Sequence, residues 1–393
     1  MKVAIIGGGA SGLFLANLIS NNDVTIYEAK ESVGKKILAT GNGRCNYWND
    51  YQDLSCYESL NNNLIDNIIN EDTAKFVLDK FASLGIVPKI KDGYYYPLNN
   101  KAKTIRDVLY NSIKDKVKIV CDKYIDNIII KDDKFIIDDI TYDKVVISTG
   151  SNASNLSVNN TFGYDYLNKN NIKVRKNLPA LVSLLSNEDF LSKWDGIRND
   201  AKVTLFINDE CIKEEIGEIQ LTKTGISGIC VFNISNLATR ALDENKKVSV
   251  HINFLPSISF IDKFLVEQTK LTNLPIYDLL SNLIDPEIVK IIENRCGLKN
   301  KLYTSFMYEE KRNLVKYVND FDVSITGSKD YLYAQVCSGG VYLDELNEYM
   351  ELKKIKNMYV IGELLDLTGI CGGYNLGIAF RSAYLASRGI NND

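Results

Sequence analysis

Met1-Lys2-Val3-Ala4-Ile5-Ile6-Gly7-Gly8-Gly9-Ala10-Ser11-Gly12, followed by Val24-Thr25-Ile26-Tyr27-Glu28, is the stretch whose reading decides the fold. The apolar run Val3 to Ile6 is too short for a helix and breaks into glycines, so it reads as a buried strand entering a tight turn. Gly7, Gly9 and Gly12 have the spacing of a dinucleotide fingerprint. Gly7 makes the turn, Gly9 lets the backbone approach a pyrophosphate, and Gly12 lets the following helix sit close on the strand. Leu13, Ala16, Leu18 and Ile19 mark that helix, and its first amides, with Ala10 and Ser11, face the phosphates. Val24 to Tyr27 reads as a second strand. Glu28, 21 residues after Gly7, is placed for an adenosine ribose, with Ala29 beside it. A chance glycine turn does not account for strand, turn, helix, strand and acid in this order. Four glycines interrupting the apolar run argue against a secretory signal.

The totals set the frame around this stretch. A chain of 393 residues accommodates two or three packed units. Its 45% hydrophobic and 24% charged residues describe an ordinary soluble globular protein. No uninterrupted apolar run approaches the ~18 residues that span a bilayer. A formal charge of -4 gives no general attraction to nucleic acid, so no nucleic-acid partner is expected. The eight cysteines include no Cys-x-x-Cys pair and read as reduced thiols of a cytoplasmic protein, with no metal site. One histidine serves the whole chain, which excludes multi-histidine metal sites and leaves little room for histidine-activated nucleophiles. His251 lies in the alternating run Val248 to Phe254 and reads as a strand residue. The chemistry of an enzyme built this way falls to a bound cofactor.

After Glu28 comes Gly34-Lys35-Lys36-Ile37-Leu38-Ala39-Thr40-Gly41-Asn42-Gly43-Arg44-Cys45-Asn46. Glycines, cations and small polar residues suit a loop along a phosphate-bearing ligand, or else a plain surface loop. Here the sequence closely resembles the BaiN-like family of NAD(P)/FAD-dependent oxidoreductases, which includes the aminoacetone oxidase family flavoproteins. Gly41 to Asn46 is that family's signature. Gly93-Tyr94-Tyr95-Tyr96-Pro97 resembles a family stretch with arginine after the glycine, and Tyr94 in its place removes an anion contact. Leu221 to Gly228 resembles a family loop of the form Thr-x-x-Gly-hydrophobic-Ser-Gly. Gly362-Glu363, Asp366 and Cys371-Gly372-Gly373-Tyr374-Asn375 match the family's closing motif.

The resemblance implies non-covalent FAD in the fingerprint site, further contacted by Lys36, Thr40, Gly41, Gly43, Arg44, Cys45, Asn46 and Ile125. Thr149 and Gly150 end a strand that passes beside the dinucleotide in two-motif flavoproteins. Gly362 and Glu363 are expected at the ribityl or pyrophosphate region. The amides of Gly373, Tyr374 and Asn375 are expected at the flavin N1 and C2 carbonyl. The implied chemistry is hydride transfer through flavin N5 to or from a small organic substrate. NAD(P)H would be a transient donor, bound without a second Rossmann unit. Arg44, Lys223 and Tyr374 are the substrate-side candidates. Two other readings stand beside this one, a flavin-dependent RNA-modifying enzyme and a non-catalytic flavin-bound redox sensor.

The expected fold is α/β, a Rossmann-type FAD domain like that of glutathione reductase, built from residues 1–175 and 330–393. An insertion over 176–329, β-rich across 178–256 and helical across 257–320, is expected to cover the flavin. Within these, the helix after the fingerprint is expected to reach Ile19. Tyr124 to Ile130 reads as a strand of a small meander, and Leu181 to Leu185, Gly217 to Leu221 and Ile229 to Asn233 as strands of the insertion. Helices are expected near Phe76 to Leu84, from Thr104 to Ile113, and from Leu376 to Ala386 at the end.

Overall fold

The computed structural model describes residues 1–20, 23–154, 161–298 and 300–391. They form two compact units, Met1–Leu178 with Val336–Asp393, and Pro179–Gln335. The first unit is built on a five-stranded parallel sheet ordered Met358–Val360, Lys144–Ile147, Lys2–Ile6, Asp23–Tyr27 and Lys118–Val120. The fingerprint strand is central, with Val3 opposite Val24 on one side and Lys144 on the other. Val3, Ala4 and Ile5 are fully buried, as continuous apolar runs are when helices cover both faces of a parallel sheet.

The helix after the glycine turn is shorter than its apolar spacing predicts. It runs Ala10–Ala16 and stops at Asn17. The Asn17 side chain donates to its own turn, at Leu13 O, and to Leu109 O of a neighbouring helix, and such local bonding competes with helix continuation. The closing helix, Tyr374–Asn391, packs on this helix through Phe14 and Phe380, whose ring centroids lie 5.0 Å apart. Phe81 of the helix Glu71–Ser83 completes the aromatic core at 5.3 and 4.9 Å from those rings.

The meander is antiparallel over Ile129–Lys131, Lys134–Ile137 and Ile140–Tyr142. Its hairpins turn on Asp132-Asp133 and Asp138-Asp139, all at positive φ, a conformation aspartate tolerates in tight two-residue turns. The strand expected from Tyr124 starts only at Ile129. Before it the chain is irregular, and Ile125 and Ile128 are buried without joining a ladder. A second small sheet joins Trp48–Asn49, Tyr94–Pro97 and Pro88–Lys91, and Tyr57–Glu58 pairs with Thr368–Gly369.

The second unit carries a seven-stranded sheet ordered Phe321–Ile325, Val248–Asn253, Arg198–Ile207, Glu210–Thr222, Gly225–Gly228, Leu184–Leu185 and Gly327–Ser328. One expectation is overturned here and two change their bounds. Ile229 to Asn233 is not a strand but the first turn of the helix Ile229–Asp243. Gly228, at φ +106°, ends the preceding strand, and Cys230, Val231, Ile234, Ala238 and Ala241 then bury one face at helical spacing. Gly217 to Leu221 is the end of the strand Glu210–Thr222, whose acidic first half hides it from an apolar search. The expected run Leu181 to Leu185 contributes only Leu184–Leu185. Farther on, Asp285 accepts from Glu287 N at 2.9 Å and caps the helix Pro286–Cys296. His251 lies in a strand, its Nδ1 2.7 Å from Asp320 Oδ1.

Candidate active site

The residues singled out in the first unit gather at the carboxyl ends of the parallel strands, where open α/β sheets bind ligands. They form three clusters. In the fingerprint turn the three glycines are not equivalent. A Cβ on Gly7, at φ +110°, would lie 2.4 Å from Ser148 O, and one on Gly12 would lie 2.1 Å from Gly7 O. Both positions are closed by neighbouring backbone. A Cβ on Gly9 would meet nothing within 4 Å. The turn is fixed by Gly7 N donating to Tyr27 O at 2.8 Å and Ser148 Oγ donating to Gly7 O at 2.8 Å. Glu28 closes it from the second strand, its Oε2 accepting from Gly8 N and its Oε1 from Lys30 N, each at 2.9 Å. Burial raises the Glu28 carboxyl above its ordinary value, against those two N–H donors.

The second cluster centres on Glu363. Its Oε2 accepts from Lys36 Nζ at 2.7 Å, and its Oε1 from Ser151 Oγ at 2.6 Å and Cys337 N at 3.2 Å. Gly150, at φ +68°, turns the chain so that Glu363 Oε2 lies 3.6 Å from where its Cβ would be. Lys36, the Thr149-Gly150 turn and Glu363 are thus brought together from three separate stretches. Burial, and after it the Glu363 charge, push the Cys337 thiol up to about 12.

The third cluster is the start of the closing helix. Gly372 and Gly373 have φ +123° and +94°. A Cβ on Gly373 would lie 2.8 Å from the Trp48 carbonyl and 2.9 Å from Asn46 Oδ1, and one on Gly372 would lie 2.7 Å from the Tyr94 ring. The glycines therefore let residues 46–49 and Tyr94 lie directly against the helix start. Asn46 Oδ1 is a buried acceptor without a hydrogen-bond partner among the described residues. Asn375 closes the preceding loop, accepting from Gly369 N at 2.9 Å and donating to Gly369 O at 2.8 Å. Its side chain is occupied, so its backbone amide is what it offers to a ligand. Tyr374 is buried edge-on against Tyr57 at 5.5 Å, and burial holds its hydroxyl far above the usual phenol value.

The other candidates are placed as follows. Arg44 is exposed in a loop where Gly41, Asn42 and Cys45 have φ between 53° and 57°. The Cys45 thiol is buried and pushed up to about 11. Thr40 Oγ1 donates to Ile37 O at 2.6 Å. Lys223 belongs to the second unit, where its backbone N donates to Asp195 Oδ1 at 2.8 Å.

Sequence reasoning missed two groups. Arg175 Nη1 lies 2.9 Å from Glu58 Oε1 and 3.3 Å from Asp366 Oδ1, and Asp366 Oδ2 accepts from Leu60 N at 2.9 Å. This triad ties together the strands around the closing motif; Asp366 belongs to that motif, and only the geometry reveals its pairing with Arg175 and Glu58. Arg381 is buried in the closing helix with its guanidinium 4.6 Å over the Trp48 ring. A charge flanked by Ile378, Phe380, Ala383 and Leu385, in a helix that is apolar on more than one face, was the available signal. Among the described residues, no group of three or more His, Cys, Asp or Glu could hold a metal ion, and no helix is long and apolar enough to cross a membrane.

These features suit a flavin dinucleotide on two observations. The space at Gly9 is open while its neighbours are closed, and the Asn46 acceptor is buried unpaired beside the Gly372-Gly373 cradle. The family model of the HI0933-like protein Rossmann domain matches residues 1–389. The 3-dehydro-bile acid delta(4,6)-reductase of Clostridium scindens is 32% identical over 98% of both chains. The ribosomal RNA dihydrouridine synthase of Haemophilus influenzae is 25% identical, also over 98% of both. A crystal structure of 3-ketosteroid delta1-dehydrogenase from Sterolibacterium denitrificans, 10% identical, covers 99% of each chain with a TM-score of 0.49. By the family match over nearly its whole length, the chain belongs to the HI0933-like family of Rossmann-domain proteins and is an FAD-dependent oxidoreductase.

Proposed function

We propose that the protein reduces a carbon–carbon double bond conjugated to a carbonyl group in a small organic substrate, with NADH or NADPH as electron donor. The observation that carries this reading is the chain-long similarity to a bile-acid delta(4,6)-reductase. The dihydrouridine synthase relative supports it, because a 3-oxo-4,6-diene and a uracil ring both present a double bond beside a carbonyl. When bound, FAD supplies the two-electron step, as hydride transfer through its N5.

The chain's own residues have separable tasks in this reading. The Gly7 to Gly12 turn, with Ala10 and Ser11, offers backbone amides to the pyrophosphate, and the missing Cβ of Gly9 makes the approach possible. Glu28, already anchored on Gly8 N, presents its carboxylate with Ala29 to the ribose. Lys36, Thr40, Gly41, Gly43, Arg44 and Cys45 line the adjoining loop, and Ile125 packs from the irregular segment that precedes the meander. Glu363, held by Lys36 and Ser151 with the Thr149-Gly150 and Gly362 turns around it, meets the ribityl chain. Asn46 Oδ1, buried and unpaired among the described residues, would accept a hydrogen bond from the bound flavin. The amides of Gly373, Tyr374 and Asn375 open an 18-residue helix, and its N-terminal dipole favours negative charge there by roughly 0.3 to 2 kcal/mol.

Anaerobic turnover tests the reading. Protein reconstituted with FAD, given NADH or NADPH and a steroid 4,6-dien-3-one, is expected to consume the nucleotide and add two hydrogen atoms to the steroid. Nucleotide oxidation that begins only once air is admitted, with dienones, simple enones and uridine-containing RNA all unchanged, contradicts it. Reduction of the RNA only, at low salt, transfers the reading to the RNA-modifying relatives.

A further inference from the structure

Arg381 is 1% exposed, and among the described residues its Nε and Nη1 have no hydrogen-bond partner. Among those residues the Tyr57 phenol is the one titratable neighbour acting on its charge, and burial pushes the guanidinium down to about 10. A buried cation without an anion is costly, and structures keep one where something supplies the missing charge. The surroundings indicate where that charge lies. The guanidinium stacks 4.6 Å over the ring of Trp48, itself buried. The Trp48 carbonyl is 2.8 Å from where a Gly373 Cβ would be, and its ring is 3.5 Å from that of Gly377. Trp48 therefore lies along the closing helix from Gly373 to Arg381. Eight residues of helix are about 12 Å, and side chains lean toward the helix N-terminus, which shortens the separation. No water-filled gap is needed between the cation and the helix start, because an aromatic ring occupies the path.

We infer that Arg381 is a positioning residue whose fixed positive charge, carried through the Trp48–Gly373 contact, stabilises the negative charge that FAD gains at the start of the closing helix on reduction. It adds to the helix dipole there, with the same sign. Its task is to set how readily the flavin accepts electrons, without touching the substrate. This rests on the proposed orientation of the flavin at Gly373 to Asn375.

The test is the two-electron midpoint potential of the FAD-loaded protein, measured spectroelectrochemically for wild type, Arg381→Met and Arg381→Lys. The methionine variant keeps the bulk over Trp48 and removes the charge. It is expected to make reduction at least tenfold less favourable, about 30 mV for two electrons, and Arg381→Lys is expected to stay within about threefold of wild type. Sulfite, which adds to oxidised flavin and leaves it negatively charged, provides the second readout. Its affinity should fall about tenfold in Arg381→Met and in Arg381→Gln, so the loss of charge stays measurable where the methionine variant folds poorly. Unchanged potential and sulfite affinity in a charge-free variant that retains FAD overturns the inference and leaves the site reading intact. Failure of the wild-type protein to bind FAD overturns both.

Discussion

The fingerprint turn and the start of the closing helix both present a helix N-terminus at the same edge of the first unit, but they are built from different materials. The fingerprint turn is almost entirely backbone. Its shape comes from Gly7, Gly12, the Ser148 hydroxyl and the Glu28 carboxylate, and the one open position is Gly9. The closing-helix start is packed with side chains, namely Trp48, Asn46, Tyr94, Tyr57, Tyr374 and, behind them, Arg381. The first therefore fixes where a dinucleotide can lie. The second can tune charge, because polar atoms held in an apolar setting act at low effective dielectric.

The contrast is broken most severely at Gly9. Gly9→Val should leave the melting temperature within a few degrees, since its Cβ meets nothing, yet lower FAD affinity by 100-fold or more, read by flavin fluorescence titration. Gly12→Val should do the reverse. Its Cβ would lie 2.1 Å from Gly7 O, and the protein is expected in the insoluble fraction, measured by expression and circular dichroism.

At the other region, Arg175→Met strands the buried Asp366 and should cost about 3 to 5 kcal/mol in chemical denaturation. A loss below about 1 kcal/mol would mean that the triad is not what ties the closing motif together. Gly373→Ala, at φ +94° and against the Trp48 carbonyl, should cost about 1 to 3 kcal/mol while FAD affinity falls with it.

The smallest effect concerns Glu28. Its folded-state pKa is raised, so the stability it contributes is fully present below the ordinary glutamate value and lost as pH rises through the raised one. The FAD-free wild type should lose stability relative to Glu28→Gln as pH climbs from about 4 to 7, followed by thermal melts. A difference that shrinks with rising pH would place the carboxyl in a more favourable setting than its burial indicates.

The same contrast explains what could be read from the sequence. A backbone site records itself as spacing, so Gly7, Gly9, Gly12 and Glu28 show the strand, turn and acid in the sequence itself. Periodicity failed where local chemistry or chain context outweighed it. Asn17 ended the first helix early by bonding its own turn, and Gly228 redirected an isoleucine- and valine-containing run into a helix. The acidic half of Glu210–Thr222 carried no apolar signal, although its ladder is continuous apart from one register shift at Leu205/Phe206. The side-chain site was legible only through family resemblance. Resemblance points to Gly372, Gly373, Asn375 and Asp366 but not to Arg381 or to Arg175 and Glu58, which join Asp366 in a triad whose members lie from 117 to 308 positions apart in the chain.

The most direct measurement is an anaerobic absorbance spectrum of the purified protein reconstituted with FAD, recorded before and after NADH and then NADPH. The expected result is a bound oxidised-flavin spectrum that bleaches with at least one of the two nucleotides and recovers on addition of a conjugated dienone. Protein that takes up no FAD contradicts the site, and bound flavin that stays yellow with both nucleotides contradicts the proposed electron donor.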